Sequence, residues 1–154
     1  MSDQDAVDLQ KELSDFFNNK MHSIYFSEGM SIDGILQNIV EEANSNPGVY
    51  EPSISLTTAA GVVSGTLISM KSFFKESAEE MYLPDQGAEV DKAKQNWISM
   101  ADEKPGAESL PPQFIHLRDA RVFTGNGKIP SNCGVLWRGR LNAVIGFAYS
   151  GLVP

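Results

Sequence analysis

The sequence predicts an α+β fold: a small, bent antiparallel β-barrel or sheet of about five strands, with N-terminal helices and a helical insertion between strands 2 and 3. Three observations predict it. Apolar residues recur at helical spacing before residue 44 and again over 71–101, but they alternate with polar residues from Ser53 onwards. Short apolar and aromatic runs then fill residues 114–149. Gly65 interrupts one alternating run, which indicates a bulge or a sharp bend, as at the corner of a small barrel.

The first 48 residues predict two helices. In the first, over residues 3–18, Ala6, Leu9 and Leu13 keep helical spacing. The second follows Ser31, a favourable cap, and carries an apolar stripe before the Asn-Ser-Asn-Pro-Gly stop at 44–48. The stripe comprises Ile32, Ile35, Leu36, Ile39, Val40 and Ala43. Its i, i+3, i+4, i+7 spacing is typical of a helix with one buried face.

Residues 50–151 are expected to form a β-rich core. Strands are predicted over 53–58 and 62–69, with helices of the insertion from about 71 to 83 and from 88 to 100, and a loop or mobile linker over 102–112. A third strand begins at Phe114, breaks at Asp119 and continues to Thr124. Gly125-Asn126-Gly127 is a hairpin signal, and two further strands are predicted over 134–140 and 143–149. The insertion therefore covers about residues 70–112.

Size and composition predict one domain over 1–154, a helical part at 1–48 and the β-rich core behind it. No apolar run approaches the ~20 residues that span a membrane. The acidic start, Met-Ser-Asp-Gln-Asp, is unlike a signal peptide, and the single cysteine, Cys133, allows no disulfide within the chain. We therefore expect a cytoplasmic protein with no membrane partner.

Charge is unevenly distributed along the chain. Residues 1–110 hold 7 Lys/Arg and 19 Asp/Glu, a formal charge of −12, whereas residues 111–154 hold 5 Lys/Arg and 1 Asp/Glu, a formal charge of +4. Because arginine and tryptophan are enriched at binding hot spots, the cluster in this basic part is a candidate interaction surface. Its members are Arg118, Arg121, Trp137, Arg138 and Arg140. Alternatively, Trp137 fills the core and the arginines pair with acidic helices of the same chain.

No catalytic, metal or cofactor site is predicted, so we expect a protein that is not an enzyme. A nucleophilic pair of Cys133 and His116 is conceivable, but no local motif supports it. Two histidines and one cysteine, far apart in sequence, are too few for a typical metal site. Gly-Asn-Gly-Lys at 125–128 lacks the spacing of a phosphate-binding loop.

Several blocks of the chain resemble the gas vesicle accessory protein U family, in the same order and at similar spacing over residues 32–151. They are Ile54–Leu56, Gly61–Ser69, Phe73-Phe74, Phe114–Ala120, Ile129–Ser131, Val135–Arg140, Val144 and Gly146-Phe147. The resemblance implies a small non-enzymatic protein that binds, or helps to assemble or cluster, gas vesicle shells through protein–protein contacts. It also implies homo-oligomers and a shell protein or another protein as partner. Residues 1–25 are additional to the resemblance.

The strand order is also loosely similar to that of Sm-like barrels, which is a likeness of fold alone. The alternative function is therefore an Sm-like RNA-binding ring, or a general oligomeric scaffold unrelated to vesicles. A net charge of −8 argues against nucleic acid, because phosphate binding usually requires a concentrated basic field.

Overall fold

The computed structural model describes residues 32–83, 87–102 and 110–150, together with Lys11, Ser14 and Asp15. In these residues three helices accompany one antiparallel sheet of six strands. The helices are α1 (Gly34–Ser45), α2 (Met70–Met81) and α3 (Ala88–Ile98). The strands are β1 (Ser53–Thr58), β2 (Gly61–Ile68), β3 (Phe114–Thr124), β4 (Gly127–Ile129), β5 (Val135–Arg140) and β6 (Val144–Ala148). The predicted α+β class and the helical insertion between the second and third strands are confirmed.

Helix α1 begins one residue after its cap, Asp33. The Asp33 carboxylate accepts hydrogen bonds from the backbone N–H groups of Ile35 and Leu36, at 2.9 and 3.0 Å. Ser31, the cap that the sequence suggested, lies outside the described residues, and Asp33 takes this role. Four members of the apolar stripe are buried, whereas Ile35 remains 61% exposed. The predicted helix over 3–18 lies almost wholly outside the described residues, although Lys11, Ser14 and Asp15 are helical.

Helices α2 and α3 form a pair. Ser69 caps α2 by accepting from the N–H of Ser72 at 3.0 Å. The indole of Trp97 on α3 donates to the Ser77 hydroxyl on α2 at 2.8 Å and packs 5.3 Å from the Phe74 ring. A single 3₁₀ turn, Ser99–Ala101, extends the end of α3. Most of the predicted linker over 102–112 lies outside the residues that the structure describes.

The sheet has more strands than the sequence predicted. Its order is β4–β3–β2–β1–β6, with β5 also paired to β3. Strand β2 pairs with one edge of β3. The other edge is shared by β4 and β5, which pair with different halves of β3. The expectation of about five strands missed β4, which returns from the hairpin turn against Val122–Thr124. Gly127, with φ of 123°, adopts a conformation that glycine tolerates best, and this allows the tight turn.

The barrel alternative is not confirmed, because in the described part of the chain no backbone pairing joins β5 to β6. The sheet is nevertheless strongly curved. A 3₁₀ turn of three residues, Leu141–Ala143, carries the chain from β5 at one edge to β6 at the other. Four peptide steps span at most about 14 Å, so the two edges lie within that distance at this point.

The bend is concentrated in β3 at Asp119. Between Arg118 and Arg121, β3 advances by three residues while the paired part of β2 advances by two. Between Leu117 and Ala120 the same holds against β5, so β3 carries one extra residue relative to both neighbours. Asp119 has φ of 51°, and its carboxylate accepts from the N–H of Gly134 at 2.8 Å. The predicted break at Asp119 is therefore a bulge inside a continuous strand. Gly65 was expected to mark a bulge or a sharp bend. The register between β2 and β3 does shift between Ser64 and Thr66, but the extra residue lies in β3 opposite Gly65.

The core lies between α1 and one face of the sheet. Its buried members are Leu36, Ile39, Val40, Ala43, Ile54, Leu56, Val63, Leu67, Ile115, Leu117, Ala120 and Leu141. Helix α2 lies against the other face of β3, where Phe73 contacts His116 at 4.7 Å between ring centroids. The sheet is thus covered by α1 on one side and by α2 on the other, and β5 extends beyond this cover as an outer strand.

We expect Gly65→Ala to destabilise the protein by about 1–3 kcal/mol, which is typical of overpacking. A methyl group at this position would lie 2.9 Å from the Arg118 carbonyl oxygen and 3.0 Å from Ala120 Cα, both backbone atoms. Gly146→Ala is the matched control, because a methyl group there meets nothing within 4 Å. Urea unfolding of both variants and the wild type measures the difference. Equal free energies of unfolding would contradict the close approach of β2 to the bulge.

Candidate interaction surface

The pairing of β3 with β5 sorts the predicted surface residues onto two faces. Phe114 lies opposite Arg140, His116 opposite Arg138, and Leu117 opposite Trp137. Directly opposed residues point to the same side of a sheet, so Arg138 and Arg140 share the outer face with Phe114 and His116. We call Phe114, His116, Arg138 and Arg140 the β5 arginine face. Trp137 points to the inner face with Leu117.

Trp137 packs against the core and is half-buried. Its ring lies along β5 over Gly139, where an added methyl group would collide with ring atoms Cη2, Cζ3 and Cζ2. The Trp-Arg-Gly sequence therefore has a packing reason, since the glycine makes room for the indole. This is the placement that the alternative interpretation of Trp137 expected.

Arg118 is engaged by carboxylates of its own chain. Its Nη1 donates to Glu51 at 2.8 Å, its Nε donates to Glu76 at 2.8 Å, and Nη2 makes a second contact with Glu76. Hydrogen bonds from Glu76 and then Glu51 raise the pKa of Arg118 further above its usual range. The side chain ties β3 to α2 and to the segment before β1, and its charge is compensated internally.

Arg121 is also drawn towards the protein. Its Nη2 lies 3.4 Å from the Asp119 carboxylate, and its side chain is only 20% exposed. Its Nε is buried without a hydrogen-bond partner among the described residues. Arg118 thus follows the alternative in which arginines pair with acidic helices of the same chain, through Glu76 of α2, whereas Arg121 pairs with a carboxylate of its own strand.

Arg138 is held in a different way. Its Nε donates to Nε2 of His116 at 3.2 Å, and its Cζ lies 3.6 Å above the centre of the Phe114 ring. The ring offers a cation–π contact, while the histidine supplies a neutral acceptor. No carboxylate in the described part of the chain contacts Arg138 or Arg140, and both side chains are exposed.

His116 is the buried support beneath Arg138. It is 2% exposed and packs against Phe73. Burial, followed by the nearby charge of Arg138, lowers the pKa of His116 to about 4, so the imidazole is neutral at neutral pH. Because Nε2 accepts from Arg138, the proton lies on Nδ1. Sequence reasoning missed this role. In the sequence, Phe114 and His116 are two residues apart, and so are Arg138 and Arg140. The register that places the two pairs opposite each other is not encoded locally.

The structure does not bring Cys133 and His116 together. Cys133 is exposed in the loop before β5, whereas His116 is buried between Phe73 and Arg138. Among the residues described, no cluster of three or more His, Cys, Asp or Glu side chains could hold a metal ion. None of the described helices is both long and apolar enough to cross a membrane.

The buried histidine generates a pH dependence of stability. The unfolded chain protonates His116 near its ordinary pKa of 6.5, whereas the folded protein resists protonation until about pH 4. The unfolded state therefore binds more protons between these values, and lowering the pH through this window reduces the free energy of unfolding, by about 3 kcal/mol in all. Below about pH 4 the neutral His116 no longer contributes to the free energy of unfolding.

The measurement is urea unfolding from pH 4 to pH 7 for the wild type and for His116→Gln. Glutamine keeps an acceptor for Arg138 but does not titrate, so its stability should fall less steeply with decreasing pH. Both proteins have the same carboxylates, so the contribution of these groups to the pH dependence of stability cancels in the comparison. Parallel curves would show that His116 is not held neutral by the fold.

Comparison with known proteins gives one result. A family model described as "Gas vesicle protein GvpU-like" matches residues 33–152, from the cap of α1 to just beyond β6. Neither the curated proteins nor the solved structures contain a significant match. The likeness to Sm-like barrels therefore stays a prediction. Since the family model covers well over half of the chain, this protein belongs to the GvpU-like gas vesicle protein family.

Proposed function

We propose that this GvpU-like protein is a non-enzymatic accessory protein of gas vesicles that works in the cytoplasm. It binds shell proteins, or helps to assemble or cluster shells, through protein–protein contacts. Membership of the family supports a role connected with gas vesicles. The observation that carries the proposed contact is the pair of exposed arginines on β5, Arg138 and Arg140, which have no carboxylate partner in the described part of the chain.

The charge distribution supports this surface. The chain has four arginines and a net charge of −8. Arg118 and Arg121 contact carboxylates of the same chain, whereas Arg138 and Arg140 contact none among the described residues, so their charge is the arginine charge that this part of the chain offers to an external acidic group. Fixed charges at an interface favour specific partners and speed association. An isolated basic face on an acidic molecule also sets the orientation in which a partner binds.

The test is flotation of purified protein with stripped gas vesicles at several salt concentrations. Wild-type protein should co-float saturably, and less of it should co-float as salt rises. Arg138→Glu combined with Arg140→Glu should weaken binding by at least about tenfold, because two attractive contacts become repulsive. Lys71→Glu with Lys75→Glu is the matched control, since it changes the net charge equally at exposed positions of α2.

Two outcomes would contradict the proposal. If wild-type protein does not float with vesicles at any salt concentration, the shell is not its partner. If the α2 control loses as much binding as the β5 variant, net charge and not the β5 arginine face determines binding. Circular dichroism of each variant establishes that the fold is kept.

We also propose that the protein forms homo-oligomers through the edges of its sheet. In the described part of the chain, β6 pairs only with β1, and β5 pairs only with β3. Edge strands offer unpaired backbone groups to another chain unless charges or proline protect them, and β6 contains neither. Ile145 is the extra residue of a bulge in β6 and is 73% exposed. An oligomer would present several arginine faces, which favours bridging between shells.

Light scattering of purified protein measures the native mass. We expect wild-type protein to be larger than one chain, and Ile145→Lys to shift it towards the monomer because a charge protects the β6 edge. Ile35→Lys, at a position 61% exposed on α1, is the control and should leave the mass unchanged. A monomeric wild type, or an equal shift in both variants, would exclude association through β6.

A further inference from the structure

We infer that Arg138 and Arg140 form a carboxylate-binding fork, that His116 is its positioning residue, and that its ligand is an extended acidic segment of a protein partner. This inference deepens the proposed function, because it names the chemistry of the partner that the β5 arginine face binds. It rests on the proposed function only for the identity of that partner as a shell component.

The orientation of Arg138 is the first step. Its Nε is occupied by His116, and the flat side of its guanidinium is occupied by the Phe114 ring. Four of its five N–H donors, those on the two Nη atoms, have no acceptor in the described part of the chain. The end of a guanidinium that carries both Nη atoms matches the two oxygens of one carboxylate. Arg138 is therefore held with its bidentate edge available.

The type of support is the second step. Arg118 and Arg138 point to the same face of the sheet, yet their partners differ. Glu51 and Glu76 compensate the charge of Arg118, whereas His116 orients Arg138 without an opposing charge. A neutral acceptor keeps the full positive charge of the guanidinium for an external anion. Burial beneath Phe73 keeps the imidazole in this neutral form.

The spacing to Arg140 is the third step, and it indicates the shape of the ligand. Arg138 and Arg140 are two residues apart on β5, so their side chains leave the same face about 7 Å apart. Carboxylates at alternate positions of an extended segment have the same separation. A Glu-x-Glu segment lying along β5 would therefore place one carboxylate on each arginine.

Nucleic acid fits the face less well. Single-stranded RNA is held by basic tracks together with exposed aromatic rings on which bases stack. The Phe114 ring is covered by Arg138, and Trp137 packs against the core. A net charge of −8 also opposes a phosphate backbone. Carboxylates of a protein are the better match.

The experiment uses the intact protein and a capped peptide, Ser-Glu-Thr-Glu-Ser, with the corresponding Gln peptide as control. Titration is followed through the Nε–H resonance of Arg138 and the dissociation constant of the peptide. We expect the Glu peptide to bind and shift this resonance, and the Gln peptide to bind at least about tenfold more weakly, because it lacks the charge-assisted contacts. A short RNA is titrated in parallel.

Variants separate a fork from a simple positive charge. Arg138→Lys keeps the charge but not the bidentate edge, so we expect roughly tenfold weaker binding. Arg121→Lys is the matched control and should bind like wild type. His116→Leu should weaken binding because Arg138 loses its acceptor, and His116→Gln, which restores an acceptor, should return affinity to within about threefold of wild type.

Each result that contradicts these expectations overturns one part of the inference. Wild-type affinity in Arg138→Lys, or equal binding of both peptides, would remove the fork, and wild-type affinity in a folded His116→Leu would remove the positioning role. Tighter binding of RNA than of peptide would replace the ligand class. The peptide assay contains no vesicles, so peptide binding without co-flotation would refute the shell proposal alone, and co-flotation without peptide binding would refute the fork alone.

Discussion

The bulge at Asp119 is the constraint on which the rest of the structure depends. Before it, the odd-numbered residues Ile115 and Leu117 point into the core, and after it the even-numbered Ala120 and Val122 do so. A strand without the extra residue would turn one of these pairs outward, because side chains alternate with a period of two. Gly65 allows β2 to approach the bulge closely enough to bend with it. The curvature that results is what lets a turn of three residues join the two edges of the sheet.

The same curved sheet places three of its arginines in different environments. Arg118 lies beside α2, where Glu76 faces it, and Arg121 lies near the carboxylate of the bulge residue. Arg138 lies on β5, and its contacts in the described part of the chain are with a neutral histidine and an aromatic ring. What distinguishes Arg118 from Arg138 is therefore the charge of the partner. Helix α2 contributes to both cases, since its Glu76 pairs with Arg118 and its Phe73 packs against the neutral His116 that holds Arg138.

The proposed role in contacting gas vesicle shells requires a rigid binding surface. Here Arg138 projects from a hydrogen-bonded strand and is held by His116 and the Phe114 ring, so binding would cost little ordering of this side chain. The β5 arginine face and the edge of β6 lie on different strands of one sheet. The proposed contact with a shell and the proposed contact with another copy therefore use different strands, as multivalent attachment requires.

The sequence by itself determined the features that depend on near neighbours in the chain. The stripe of α1, the β1–β2 hairpin and the interruption at Asp119 all follow from local periodicity and from the conformations that glycine and aspartate tolerate. The spacing of two residues between Arg138 and Arg140 also puts both on one face of a strand. Tertiary structure alone decided what lies against that face. The contact of Arg118 with Glu76 spans 42 positions and that of Arg138 with His116 spans 22. Such contacts depend on strand register and on where α2 packs, which local patterns do not encode, and β4 has only three residues, too few to show a period.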